Sequence, residues 1–126
     1  MSRIPFVSWS WKEGRVWDHW MIVHFASGIA IACVLELLSL DTAHAYLIAL
    51  GLLVAWEIGE KIGRVEEETE NLVLDVVFGM FGFALFEQVI FPLVSREGVV
   101  WILITTLIFA IGGSVLGWMA YKRRSE

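Results

Sequence analysis

Apolar residues gather into four long stretches, 17–40, 42–62, 70–94 and 99–121, separated by short polar runs. The last is the cleanest: from Val99 to Tyr121 the only ionisable side chain is the Tyr121 phenol, and Lys122, Arg123 and Arg124 follow at once. A helix needs about 20 such residues to cross hydrocarbon, at about 1.5 Å each. The first stretch is interrupted only by Asp18, His19, His24 and Glu36, and Asp41 then offers a cap for a helix starting near Thr42. The middle two are less regular. Uncharged runs cover only 12 residues from Ala45 to Trp56 and 11 from Val76 to Phe86. Each crosses only by carrying carboxylates into the membrane; the other reading is a pair of re-entrant or interfacial helices. The first stretch starts late, is long and carries Glu36, unlike a cleaved signal peptide. The pattern predicts an all-α, polytopic integral membrane four-helix bundle in one domain.

Composition agrees. Hydrophobic residues make up 58% of the 126, charged residues only 18%, and mean hydropathy is +0.72; soluble domains carry about 25% charged residues. So apolar a chain is not disordered. A net charge of -5 without a basic stripe excludes nucleic acid as a partner. Cys33 stands alone, which excludes an internal disulfide and a cysteine-rich metal site.

The basic residues set an orientation. Arg3, Lys12 and Arg15 precede the first helix, Lys61 and Arg64 lie between the second and third, and Lys122, Arg123 and Arg124 follow the fourth. Only Arg96, one of nine, falls on the other side. The positive-inside rule then puts both termini in the cytoplasm. Residues 1–16 read as a Trp-rich segment lying along the membrane surface, and Trp9, Trp11, Trp17, Trp20 and Trp118 fall near the same interface.

Charges inside a bilayer cost at least about 2.5–3.5 kcal/mol each, so they face the bundle interior and mark function. His24 sits about two turns into the first helix. The second helix returns to that level with Glu57 and Glu60, and the third leaves it with Glu67, Glu70, Asn71 and Asp75. Glu57 and Glu60, three apart, share a helix side. Glu67, Asn71 and Asp75, each four apart, form a stripe that continues through Gly79 and Gly82. Glycines there admit a neighbouring helix, so the stripe should face the core. One imidazole with several carboxylates makes an oxygen-rich site for Mg²⁺, Mn²⁺, Zn²⁺ or iron. The acids must bind a metal, pair with Lys61 or Arg64, or hold protons; a protonated carboxyl beside an ionised one is ready for acid–base work. His24, Glu57, Glu60, Asn71 and Asp75 are the candidate metal ligands, with Glu57 and Asp75 the candidate catalytic groups.

A thinner second layer holds Glu36, His44 and Glu87, about 18 Å of helix rise from the first. Either Glu36 pairs with His44 and Glu87 with Arg96, or the two layers outline a path for protons or ions. On the fourth helix Ala110, Gly113, Ser114 and Gly117 form a small-residue face for another helix or a second copy of the chain.

Asp18, His24-Phe25 and Gly28, then Trp56-Glu57-x-x-Glu60, then a polar run ending in Asn71 and Asp75 before Gly79 and Gly82, resembles the VanZ-like superfamily over roughly Trp17 to Leu85. The chain looks most like bacterial inner-membrane relatives whose third helix starts with an acidic or amide motif. It departs from them at Glu66-Glu67-Glu68-Thr69-Glu70, where they carry aspartate and tryptophan. The resemblance implies a small polytopic protein of the inner membrane, with His24, Glu57, Glu60, Asn71 and Asp75 as the functional set.

Three functions follow from these residues. A metal-dependent membrane enzyme would act on a lipid or lipid-linked substrate at the cytoplasmic leaflet. A small transporter or proton- or ion-coupled channel would use both polar layers. A non-catalytic accessory subunit of a larger complex would use neither, or would hold a pigment or haem through His24.

Overall fold

The computed structural model describes residues 7–11, 18–62 and 69–125. The chain forms α1 (His19–Leu37), α2 (Thr42–Ile62), α3 (Thr69–Leu85) and α4 (Arg96–Ser125). Between α3 and α4 lie a π turn, Phe86–Ile90, and a 3-10 turn, Phe91–Leu93. There is no strand among the described residues. Four spans, His19–Leu37, Thr42–Ile62, Glu70–Leu93 and Arg96–Arg124, are long and apolar enough to cross a membrane, which makes this a multi-pass membrane protein by length and composition. Arg3, Lys12, Arg15, Trp17, Arg64 and Glu66 to Glu68 lie outside the described residues, as does most of the expected interfacial segment.

The helix ends are written in the sequence. Asp18 caps α1 by accepting from the Trp20 backbone N–H at 3.0 Å. At the far end Ser39 takes the left-handed conformation (φ 58°), and the Ser39 and Leu40 N–H groups donate back to the carbonyls of Glu36 and Leu35. That satisfies backbone acceptors and turns the chain in three residues. Asp41 caps α2 through the His44 N–H at 3.3 Å. Ser95 caps α4 through the Gly98 N–H at 3.1 Å, so this helix starts at Arg96, ahead of the apolar run. Pro92 removes one N–H from the ladder, and the backbone before it widens to π and then tightens to 3-10 rather than continuing as α-helix.

In the bundle α1 is central. Half of its span is buried, against 11% of α4's. It packs closely on α3 and on α4, while α2 rests mainly on α3. The α1–α3 contact is backbone on backbone: a Cβ at Gly28 would overlap the Gly79 carbonyl oxygen, and one at Gly82 the Phe25 carbonyl oxygen. Gly79 also receives the Leu53 side chain of α2, whose Cδ1 would lie 2.8 Å from an added Cβ. Three helices therefore meet at Gly28, Leu53 and Gly79. Nearer the Ser39 turn the core is apolar, built around Ala32, Cys33, Ala49, Phe83 and Phe86, with Tyr46 edge-on to Phe83 at 4.8 Å.

On α4 the small-residue face meets α1 of the same chain. A Cβ at Gly113 would lie 2.8 Å from Val23 Cγ2, and one at Gly117 would strike the Trp20 ring. Trp11 folds back onto this junction, edge-on to Trp20 at 5.2 Å, and its carbonyl accepts from Arg124 Nη2 at 3.2 Å. Trp9 is exposed. Ser27, Thr105, Thr106 and Ser114 each return their hydroxyl to a backbone carbonyl one turn back, the arrangement that satisfies a hydroxyl in hydrocarbon.

Candidate functional site

The glycine contact explains the site. His24 lies four residues before Gly28, Asp75 four before Gly79, and Glu57 four after Leu53 on the antiparallel α2. Each is one helical turn from the point where the three helices touch, on the same side of it. His24 Nε2 consequently stands 3.3 Å from Glu57 Oε1 and 3.4 Å from Asp75 Oδ2. Glu57 and Asp75 are each 1% exposed and His24 5%. One ligand atom from each of the three lies within 4.8 Å of the others.

These separations point to chemistry. Charge-assisted N–H···O contacts close to about 2.7–2.9 Å. Ligands at about 2.1 Å from a tetrahedral ion are held about 3.4 Å apart. The two His24–carboxylate edges, 3.3 and 3.4 Å, fit a shared cation as well as an ion pair, and all three ligand atoms lie within 4.8 Å of one another. Three protein ligands on a four-coordinate ion leave one position for water or substrate, the arrangement of catalytic rather than structural sites.

The other two expected ligands are placed nearby. Asn71, 1% exposed, is one turn before Asp75, and its Nδ2 donates to Asp18 Oδ2 at 3.4 Å. Glu60 lies one turn beyond Glu57, at the bundle edge, and its Oε1 accepts from Trp56 Nε1 at 3.0 Å. The group of His and carboxylate ligand atoms that converge is His24, Glu57 and Asp75, and Glu60 stands outside it. Asp18 is a site-adjacent residue that the polar pattern undervalued: it is 0% exposed, caps α1 and meets Asn71. Its position immediately before the first span is the signal that marks it. Glu57 lies against His24, and Glu70 is exposed.

At the opposite end the expected ion pairs are replaced. His44 Nδ1 bonds to Asp41 Oδ1 instead of Glu36. Arg96 Nη2 donates to the Leu37 carbonyl at 3.0 Å instead of meeting Glu87. Glu87, buried in the π turn, lies beside Glu36. Helix-end geometry decides this: His44 is three residues after Asp41 on the first turn of α2, which keeps the pair local.

An elongated groove of about 680 Å³ runs between α2 and α4 with α1 as its floor, and His24 is on its wall. No protein-family model, curated protein or solved structure matches this chain.

Proposed function

We propose that this is a membrane-embedded metal protein that holds a divalent ion between His24, Glu57 and Asp75 and acts on a lipid or lipid-linked substrate at the cytoplasmic leaflet. The observation that carries it is the pair of His24–carboxylate distances, 3.3 and 3.4 Å, in a fully buried three-helix junction. Asn71 lies one turn before Asp75 and bonds to Asp18 beside that centre, and an ion held there would supply Lewis-acid chemistry to a water or substrate at its open position. The VanZ-like pattern of residues and the positive-inside bias support an inner-membrane protein with both termini in the cytoplasm. A proton- or ion-coupled transport role is the second reading, favoured by the proximity of the Glu36 and Glu87 carboxyl groups.

Metal analysis of the purified protein tests the first reading. Loading with Mn²⁺, Zn²⁺ or Fe²⁺ followed by desalting should leave about one equivalent in the wild type. His24→Ala and Asp75→Asn should each lose it while keeping the wild-type helical content. Wild-type protein that retains no metal under any loading overturns the proposal.

A further inference from the structure

The groove between α2 and α4 has two unlike ends. At one, Trp20, Trp56, Trp118 and Lys122 line it; beyond the other, a second apolar space of about 310 Å³ that shares Ser27, Ile31, Leu52, Leu107 and Ala110 with the groove reaches Val34 and Leu35. Along α1 from Trp20 to Leu35 this path is about 22 Å long at 1.5 Å per residue. A bilayer's hydrocarbon is about 30 Å thick, so the path exceeds one leaflet's share. Among the lining residues His24 and Lys122 alone are titratable. His24 belongs to the metal-site candidate; Lys122 lies in the last turn of α4 beside Arg123 and Arg124.

We infer that this groove binds one acyl chain of an anionic phospholipid, with the phosphate at Lys122 and the chain passing His24. The lining favours one occupant: a lysine among three tryptophans at one end, followed by a largely apolar trough in which His24 is the one other titratable group, is complementary to an amphiphile with an anionic head. Tryptophans and a snorkelling lysine sit where a headgroup region begins. The volume is that of a small-molecule site, which in helical bundles lies between helices and carries few polar groups. A ligand seated there lies against His24 and reaches the proposed metal centre sideways, from within the bilayer. The substrate class named here rests on the metal reading, whereas occupancy of the groove does not.

Native mass spectrometry of the delipidated full chain decides it, with dioleoyl phosphatidylglycerol and dioleoyl phosphatidylcholine as probes. The wild type should retain one phosphatidylglycerol in preference to phosphatidylcholine. Ser114→Phe, which fills the groove from α4, should weaken retention by about tenfold or more. Leu52→Phe fills it from α2 and should do the same, should Ser114→Phe fail to fold. Leu47→Phe, on a face of α2 that is exposed away from the groove, should leave retention unchanged. Lys122→Gln should erase the preference between the two lipids. Equal retention by wild type and both groove-filling variants, or a groove occupied by a second copy of the chain, overturns the inference. Metal content measured on the same samples separates the two readings: lipid bound without metal sinks the metal centre alone, and metal bound without lipid sinks the groove alone.

Discussion

Replacing Gly28 by alanine should open the site without touching any of its side chains. The new Cβ would stand 2.8 Å from the Gly79 carbonyl carbon and closer still to its oxygen, where ordinary carbon contacts need about 3.5–4.0 Å. Both atoms are backbone, so α1 and α3 must part by at least about 0.7 Å, the shortfall against the nearer limit. His24 and Asp75 are one turn away on those same helices, and coordination distances tolerate only about ±0.2 Å. The expected result is a loss of about 10–100-fold in metal affinity, the range seen when the surroundings of metal ligands are disturbed. An overpacking penalty of about 1–3 kcal/mol should accompany it. Gly79→Ala should do less, because its Cβ meets the flexible Leu53 side chain. At Gly51 and Gly112 an added Cβ meets nothing within 4 Å, so alanine there should be neutral or slightly stabilising. Metal titration and thermal denaturation in one detergent, across the four variants, give the comparison. Gly28→Ala indistinguishable from Gly112→Ala in both measurements would refute the backbone-contact argument.

Two further outcomes follow. The His44 imidazole bonded to Asp41 holds that carboxyl below the ordinary carboxylate range, with the His44 backbone N–H adding to the effect. A depressed carboxyl contributes stability above its unfolded value of about 3.9 and loses it as pH falls through the folded value. The stability difference between wild type and Asp41→Asn should therefore shrink as pH falls below about 4 in thermal melts; a difference that grows between about pH 4 and 3 contradicts it. For topology, Cys33 is buried and gives little background. A membrane-impermeant maleimide should label Ser95→Cys on intact cells or spheroplasts and Arg123→Cys only after permeabilisation, and the reverse pattern would overturn the proposed orientation.

What the amino-acid pattern reveals depends on which physical constraint is in play. In hydrocarbon every backbone group must bond internally, so long apolar runs have to be helices and depth follows from counting residues. That is why His24, Glu57 and Asp75 could be placed at one level from their spacing, and why the Asn71–Asp75–Gly79–Gly82 stripe, buried throughout, reads as an inward face. Depth does not say which helix neighbours which. Glu36, His44, Glu87 and Arg96 share an end of the bundle, and depth alone offered pairs that the structure does not form. Local geometry gave His44 to Asp41, and the π turn before Pro92 carried Glu87 to Glu36. Glu60 shares a level with Glu57 but sits beside Trp56 at the bundle edge. On α4 the small residues announced a close contact, which α1 and Trp11 of the same chain supply.

The site and the fold are held by the same contacts. Lipid tails are as apolar as leucine, so helices in a membrane associate through close packing and interhelical polar contacts rather than through hydrophobic burial. In this bundle those two resources coincide: the Gly28–Gly79 approach and the His24–Glu57–Asp75 junction are one turn apart, on the most buried helix. An ion bound there would tie α1, α2 and α3 together and stabilise the bundle by mass action, about 2.7 kcal/mol at a hundredfold excess over its dissociation constant. Loss of His24 therefore removes a ligand and a helix contact at once, and the two effects separate only against a variant that moves the helices and keeps the ligands. Gly28→Ala is that variant. If both lose metal but only Gly28→Ala loses the α1–α3 packing, the junction is a ligand set; if both unfold alike, its first role is to hold the bundle.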